Sequence, residues 1–364
     1  MKTTITKEHL LPALNAATRM SGKNLSLPSL NGILIEAKKN IFSLRATNLD
    51  VGIDVRLPAK VEEEGSAVVS GSILGTTIQT ARGNINLTLS SGNLKVRSEG
   101  TETIIKALPC EDFPTLPKVE DGASLLIDPE TLIKGFRSVW YATSSSTIKP
   151  ELASIFLFSE GGKLHFVATD SFRLAEKVIP LKKAETIESL LIPNRNVAEI
   201  LHILEQAKGT VEVKYNKNQI AFSFEETYVT SRLVDGSFPD YKAIIPKNFS
   251  TEVVLLKQDF FDILKKAGVF ANKFNQVYFK VNPKKQEFTV QAENPDVGET
   301  TEQLGATLTG EELEISFNQK YLFDALQSIH SDSVSLSFSG LGKPVIVKGI
   351  SDTSFLYLVM PMNR

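Results

Sequence analysis

The chain has 364 residues, which is too long for one ordinary hydrophobic core and suits two or three domains of roughly 100–200 residues each. Its net charge of −2 gives no overall attraction to an anionic partner such as nucleic acid. A single cysteine, Cys110, excludes an internal disulfide and fits a reducing compartment. No apolar signal segment and no run of about 18 apolar residues occurs, so we expect a cytoplasmic protein without a membrane span.

Three amphipathic stretches predict three equivalent helices. They begin at residues 5, 127 and 255, which are separated by 122 and 128 residues, a period on the scale of a small domain. Thr6 is a plausible N-cap of the first helix; Asp128 caps the second, with Pro129 at its first position. The apolar stripes are Leu10, Leu14 and Ala17; Leu132, Phe136, Val139 and Trp140; and Phe260, Leu264, Ala267 and Ala271.

The segments between these helices repeat as well. Each copy continues with short strand-like runs and a second helix, beginning near Ser70, Asn194 and Asn318. A strictly alternating strand follows directly, as expected for an antiparallel strand with one buried face. Its apolar positions are Ile85, Leu87 and Leu89; Val211, Val213 and Tyr215; and Val334, Leu336 and Phe338.

These repeats predict an α+β fold made of three homologous domains, residues 1–120, 121–247 and 248–364. Each domain would pack two helices on one side of an antiparallel sheet. The alternative is three unrelated α+β domains whose elements happen to follow the same order and spacing.

Charge is distributed unevenly between the helices and the rest of the chain. The six helical stretches sum to +5, which leaves −7 elsewhere. A basic helix layer favours one face turned towards a polyanion, but an ordinary solvated surface explains the same count. The counted cations are Lys7, Arg19, Lys23, Arg82, Lys134, Arg137, Arg195, Lys208, Lys265, Lys266, Lys273 and Lys320; the acids are Glu8, Glu130, Glu199, Glu205, Asp259, Asp262 and Asp324.

Motifs for catalysis, metal binding or phosphate binding do not occur. The four histidines are far apart in sequence, and neither glycine-rich phosphate-binding motif occurs, so we expect no catalytic residue, metal or cofactor. Asp50, Asp170 and Asp235 fall in turn-like contexts. A hydrolase that uses Asp170 and Asp235 is the enzymatic alternative, and a repeat protein without a role on DNA is the structural one.

Three segments carry a family resemblance: ATDSFRLA at residues 168–175, LVDGSFPDYKAIIPKN at 233–248 and YLVMPM at 357–362. Together they resemble the bacterial β sliding clamps, the processivity subunits of replicative DNA polymerase III. The resemblance runs through the whole chain, because clamps of that family have three homologous domains of this length.

The resemblance implies a non-catalytic protein that forms a head-to-tail homodimeric ring around duplex DNA without reading its sequence. Twelve helices about 10 Å apart would surround an opening of roughly 30 Å, wide enough for the duplex. The implied partners are the alpha subunit of the replicative polymerase, the delta subunit of the clamp loader, other polymerases and repair proteins. They bind through short peptides.

The resemblance also implies an apolar pocket for those peptides. One wall would be Leu152, Thr169, Ser171, Phe172, Arg173, Leu174, Pro239, Ala243 and Ile244; the other would be Phe274, Asn318, Tyr321, Pro344, Leu358, Val359, Met360, Pro361 and Met362. This chain departs from the family at three places. Ser171-Phe172 stand before Arg173, where relatives often have Gly-His or Ser-His, and Ala243 stands where an arginine is familiar. The last two residues, Asn363 and Arg364, also differ from the usual ending.

Two further surfaces are implied. Basic residues expected to face DNA are Arg19, Lys23, Arg82, Lys149, Arg195 and Lys273, while the aromatic residues with which some relatives contact DNA are here Pro150 and Glu151. The dimer seam would join Thr103, Ile104 and Ile105 of one subunit to Gly268, Val269 and Phe270 of the other.

Overall fold

The computed structural model describes residues 1–22, 27–120, 122–181 and 186–362. The chain divides into two compact units. The first comprises Met1–Ile133 and Arg195–Leu233, and the second comprises Lys134–Asn194 and Val234–Arg364. None of the described helices is long and apolar enough to cross a membrane.

The six predicted helices are present in the described residues, and each begins within about two residues of its predicted start. Ser70 caps the glycine- and threonine-rich second helix, which is anchored by buried Leu74 and Ile78 despite its low propensity. The bounds are α1 Lys7–Met20, α2 Gly71–Thr80, α3 Pro129–Val139, α4 Asn194–Leu204, α5 Lys257–Phe270 and α6 Gln319–Leu326.

The strands repeat in three copies in the predicted order. The first copy contains β1 Lys2–Thr6, β2 Ile33–Lys38, β3 Ile41–Thr47, β4 Val51–Pro58, β5 Lys60–Glu63, β6 Gly65–Val69, β7 Asn84–Ser90, β8 Asn93–Ser98 and β9 Thr101–Leu108. The second contains β10 Ala123–Ile127, β11 Ser154–Glu160, β12 Lys163–Thr169, β13 Arg173–Pro180, β14 Leu190–Pro193, β15 Val211–Tyr215, β16 Gln219–Phe224 and β17 Thr227–Arg232. The third contains β18 Thr251–Leu256, β19 Gln276–Asn282, β20 Glu287–Asn294, β21 Gly298–Leu304, β22 Ala306–Gly310, β23 Leu313–Asn318, β24 Ser333–Phe338, β25 Val345–Gly349 and β26 Phe355–Val359.

Sheets run across the copy boundaries and therefore define the two units. In the first unit a thirteen-stranded sheet has the order β10-β15-β16-β17-β4-β3-β2-β6-β9-β8-β7-β1-β5. In the second unit a nine-stranded sheet, β14-β11-β12-β13-β26-β25-β24-β18-β22, accompanies a four-stranded sheet, β21-β20-β19-β23. Strand β17 of the second copy pairs with β4 of the first, and β13 pairs with β26 of the third. The two compact units divide the middle copy between them, so their limits do not test the three predicted domain boundaries. Those boundaries stay a prediction.

Most residues of the predicted helix stripes and alternating strands lie in the cores, but Trp140 of the second stripe follows the end of α3 and is 37% exposed. Leu10, Leu14 and Ala17 are buried on α1, and Phe260, Leu264 and Ala267 on α5. Strand β15 alternates between buried and half-buried residues, as its sequence predicts. Strand β24 differs, because Ser335 and Ser337 on its polar face are buried too. The fold is thus α+β, with helices packed on antiparallel sheets.

Candidate functional site

A tight corner between β12 and β13 positions the most conspicuous cluster of the second unit. Thr169 donates its hydroxyl to the Arg173 carbonyl at 2.6 Å. Asp170 accepts the backbone N–H groups of Phe172 and Arg173 at 2.9 and 3.0 Å. Ser171 has a φ of 77°, which is a left-handed conformation that the surrounding hydrogen bonds hold in place. The corner therefore presents Phe172, 62% exposed, and aims Arg173 inward.

Arg173 connects the corner to α6 and to a short 3₁₀ segment, Trp140–Ala142. Its guanidinium pairs with Asp170 at 3.0 Å and with Asp324 of α6 at 2.8 Å, and it also donates to the Tyr141 carbonyl at 2.6 Å. The Arg173 side chain is only 12% exposed, so these acceptors compensate the burial of its charge. Its Cζ lies 4.3 Å from the ring centroid of Tyr321, within cation–π range.

The start of α6 supplies polar groups next to this arginine. Asn318 caps the helix by accepting the Tyr321 N–H at 3.3 Å, and its amide donates to the Phe274 carbonyl at 3.3 Å. Burial raises the pKa of the Tyr321 hydroxyl, and the charge of Asp170 acts in the same direction. Tyr321 therefore stays neutral at physiological pH.

An apolar floor adjoins the corner. Leu174 of β13 faces Leu358 of β26, which faces Ile346 of β25, and all three are buried. Val167 and Tyr241 complete the cluster. Partly buried apolar side chains pack around it: Phe156, Phe158, Phe238, Ile245, Leu356 and Met360. The region beside the corner is therefore built from aliphatic and aromatic side chains.

The C-terminal segment edges the same region. Met360 donates its N–H to the Phe172 carbonyl at 2.8 Å, and Met362 donates to the Ser316 carbonyl at 2.8 Å. The stretch thus combines a buried strand, β26, with half-buried Met360, Pro361 and Met362. The segment therefore contributes both to the core and to the surface. Beyond Met362 lies an open depression of about 470 Å³ that is also lined by Ile315 and Leu341.

The predicted pocket residues all lie in the second unit, but at different depths. The exposed ones are Ser171, Phe172, Pro239, Ala243, Ile244 and Phe274, and the half-buried ones are Arg173, Asn318, Tyr321, Pro344, Met360, Pro361 and Met362. Leu152, Thr169, Leu174, Leu358 and Val359 are buried. The buried set can support a binding surface from below, while the exposed set can contact a ligand.

Sequence reasoning missed several groups that build this region. Asp324 was counted only as a helical acid, although it is an ion-pair partner of Arg173. Ile346, Tyr141 and Glu176 were not predicted to take part. Their roles arise from contacts between residues that are far apart in sequence. Arg173 and Asp324, for example, are separated by 151 positions, and the local sequence pattern does not predict such a contact.

The residues predicted to face DNA differ in whether they are paired with a carboxylate. Arg19 pairs with Glu199 at 2.8 Å, and Arg195 pairs with Asp50 at 3.0 Å. The exposed residues Arg82, Lys149 and Lys273 follow α2, precede β11 and follow α5, respectively. Lys23 lies outside the described residues. Internal pairing of the arginines reduces the charge available on the helices.

The residues predicted for a dimer seam include two exposed apolar side chains. Ile104 of β9 is 62% exposed and Val269 of α5 is 64% exposed, whereas Ile105 is buried. Strand β9 pairs with β8 through Thr101–Lys106 but meets β6 only at Ala107 and Leu108. Within the described residues, most of one edge of β9 is therefore open to another strand.

The two aspartates of the enzymatic alternative lie in different structural settings. Asp170 is engaged by backbone N–H groups and Arg173, while Asp235 lies in an exposed loop. Among the described residues, no group of three or more histidine, cysteine, aspartate or glutamate residues could hold a metal ion. Asp170 therefore has the structural role expected of a turn residue.

Three domain models of one protein family match this chain. Models of the DNA polymerase III beta subunit match in order: the N-terminal domain at residues 1–117, the central domain at 126–240 and the C-terminal domain at 242–363. The Beta sliding clamp of Staphylococcus epidermidis is 26% identical over 375 residues, covering 100% of this chain and 99% of the relative.

Solved structures agree. The DNA polymerase sliding clamp of Bacillus subtilis is 25% identical with a TM-score of 0.94, and the DNA polymerase III beta subunit of Thermotoga maritima is 26% identical with a TM-score of 0.93. Each comparison covers 100% of this chain and 99% of the other. The chain belongs to the DNA polymerase III beta subunit family.

Proposed function

We propose that this protein is a sliding clamp that confers processivity on the replicative DNA polymerase. The observation that carries this conclusion is the ordered match of all three domain models of the beta subunit along the chain. The clamp would act as a head-to-tail homodimeric ring around duplex DNA in the cytoplasm, without catalysing a reaction itself.

The second unit would bind the peptides of partner proteins. Support comes from the apolar floor of Leu174, Leu358 and Ile346, and from exposed Phe172 and Ile244 beside it. Half-buried Asn318 could orient the polar backbone of a peptide. Expected ligands are peptides from the polymerase alpha subunit, the clamp-loader delta subunit, other polymerases and repair proteins.

Contact with DNA would be weak and not specific for sequence. Arg19 and Arg195 are already paired with carboxylates, which leaves exposed Arg82, Lys149 and Lys273 as the better candidates. Neutralising one cation that touches a phosphate should reduce the slope of log binding constant against log salt concentration by about one. Encirclement would retain the protein on DNA where phosphate binding alone would not.

Sedimentation equilibrium tests the assembly. The wild-type protein should have twice the 40.0 kDa mass of the chain. Arginines at both exposed seam positions, Ile104→Arg with Val269→Arg, should weaken the dimer at least about tenfold, because charged groups would lose hydration in an apolar contact.

Leu126→Arg is the matched control, because Leu126 is also an exposed aliphatic residue on a strand, at 65% exposure. This variant should remain dimeric. A monomeric wild type at micromolar concentration would contradict the ring. If the double substitution does not weaken the dimer, the dimer interface lies on another surface of the protein.

A further inference from the structure

Tyr241 lies where the rim of the proposed pocket meets its floor. It begins a 3₁₀ turn, Tyr241–Ile244, that also carries the exposed residues Ala243 and Ile244. The Tyr241 side chain belongs to the buried cluster with Leu174 and Leu358. Tyr241 therefore connects the turn that carries the exposed rim to the floor.

The Tyr241 hydroxyl is held by one carboxylate. It donates to Glu176 Oε1 at 2.6 Å, across 65 residues of sequence. Glu176 follows Leu174 by two positions on β13, so both side chains lie on the same face of the sheet. The Glu176 side chain is only 13% exposed and contributes to none of the predicted pocket walls. Its contact with Tyr241 connects it to the rim of the proposed pocket.

Glu176 has a second partner that fixes it in turn. His165 of β12 places Nδ1 3.0 Å from the same Glu176 oxygen. Burial alone would raise the pKa of Glu176, but the hydrogen bonds with His165 and Tyr241 outweigh it and hold that pKa below its ordinary value. Glu176 is therefore ionised at neutral pH, where a charged acceptor makes the stronger hydrogen bond to Tyr241.

A row of stacked rings connects the same residues on the other side. His165 stacks on Phe158 at 4.7 Å, Phe158 on Phe156 at 4.7 Å, and Phe156 on Phe238 at 4.8 Å between centroids. Phe238 meets Tyr241 edge-on at 6.3 Å. The hydrogen bonds through Glu176 and the stacked rings therefore connect Tyr241 to β12 by two separate routes.

We propose that Glu176 is a positioning residue for partner peptides. It fixes Tyr241, and through it Ala243 and Ile244, at the spacing from the floor that a bound peptide requires. This inference rests on the proposed peptide-binding function of the pocket. Removing the acceptor would leave the Tyr241 hydroxyl unpaired among apolar groups, so the turn would reorient to rehydrate it.

Fluorescence anisotropy of a labelled clamp-binding peptide from the polymerase alpha subunit tests the proposal in the full-length protein. Glu176→Leu and Tyr241→Phe should each weaken binding about five- to tenfold. Because both remove the same hydrogen bond, the double variant should bind about as weakly as the weaker single variant rather than showing the product of the two effects. Glu176→Gln keeps an oxygen acceptor for Tyr241 and should recover most of the affinity.

Glu160→Gln is the matched control. Glu160 is a nearby carboxylate, 60% exposed, whose partner Lys242 also belongs to the rim turn. This variant should bind the peptide like the wild type. The dimer mass should be unchanged in every variant, which separates positioning of the rim from general loss of structure.

Several outcomes would overturn the proposal: multiplicative effects in the double variant, a Glu176→Gln protein as weak as Glu176→Leu, or wild-type affinity in Tyr241→Phe. If Glu176→Leu does not fold, Tyr241→Phe removes a single oxygen and decides the question together with Glu176→Gln. A wild-type protein that fails to bind the peptide would instead refute the proposed function of the pocket.

Discussion

The corner at residues 47–51 in the first unit and the corner at 169–173 in the second share one hydrogen-bond pattern. Thr47 donates to the carbonyl of Val51 at 2.9 Å, as Thr169 does to that of Arg173 at 2.6 Å. Asn48 accepts two backbone N–H groups at 3.0 and 2.9 Å, as Asp170 does. Leu49 and Ser171 both have positive φ, 76° and 77°. The backbone is the same in both copies.

The side chains that follow make the two corners different. The fifth position is buried, apolar Val51 in the first unit and Arg173 in the second. Arg173 holds Asp324 and stacks on Tyr321, whereas no such cluster is available to a valine. Threonine and an Asn or Asp therefore build the turn, while the fifth residue decides whether it organises a polar site.

Replacing the fifth residue should separate the two corners most strongly. Arg173→Ala leaves Asp170 and Asp324 without their shared cation, and we expect a stability loss of roughly 3 kcal/mol and peptide binding weakened at least about tenfold. Chemical denaturation and peptide anisotropy measure these effects. Val51→Ala is the matched control, with a stability loss of about 1–2 kcal/mol from reduced burial and no change in peptide affinity. Equal effects on peptide binding at both corners would contradict the comparison.

The second position should distinguish turn formation from ion pairing. Asp170→Asn keeps an oxygen for the two backbone N–H groups, as Asn48 does, and removes only the charge opposite Arg173. We expect a stability loss of about 1 kcal/mol for Asp170→Asn and about 2 kcal/mol for Asp170→Ala. Asn48→Ala should lose only about 1 kcal/mol, because it removes the hydrogen bonds of the turn but no ion pair. Denaturation midpoints of the three variants give the order, and an Asp170→Asn protein as unstable as Asp170→Ala would assign the whole effect to charge.

The third position should give the smallest effect, with the same sign in both corners. Glycine adopts positive φ without a side-chain clash, so Ser171→Gly and Leu49→Gly should be neutral or stabilising by up to about 1 kcal/mol. Thermal unfolding measures the shift. A clear loss of stability in either variant would mean that the side chain at that position makes stabilising contacts that outweigh its backbone strain.

The sequence predicted the local features of this fold well. Helix starts at Ser70, Asn194 and Asn318 follow from capping and periodicity, and the corner after Thr169 follows from its Thr-Asp-Ser run. These features depend on neighbours within a few residues, and that information is contained in a short window of sequence.

Contacts between distant segments could not be predicted in the same way. The pairing of β17 with β4 and of β13 with β26 joins different copies, and alternation alone does not specify a partner strand. Arg195 of α4 pairs with Asp50, a carboxylate outside the helices, so counting helical charges overestimated the free basic surface. The positions of the predicted pocket residues were inferred from family motifs, while Glu176 became evident only from its contact with Tyr241.

Retention on DNA of defined topology tests the central claim most directly. The dimer is loaded onto nicked circular DNA by a clamp loader and separated from free protein by gel filtration. If the protein encircles DNA, it should stay on the circle at high salt and leave within the experiment once a nuclease linearises it, because no strong phosphate contact would hold it. Equal retention on circular and linear DNA, or release from both at high salt, would contradict the clamp.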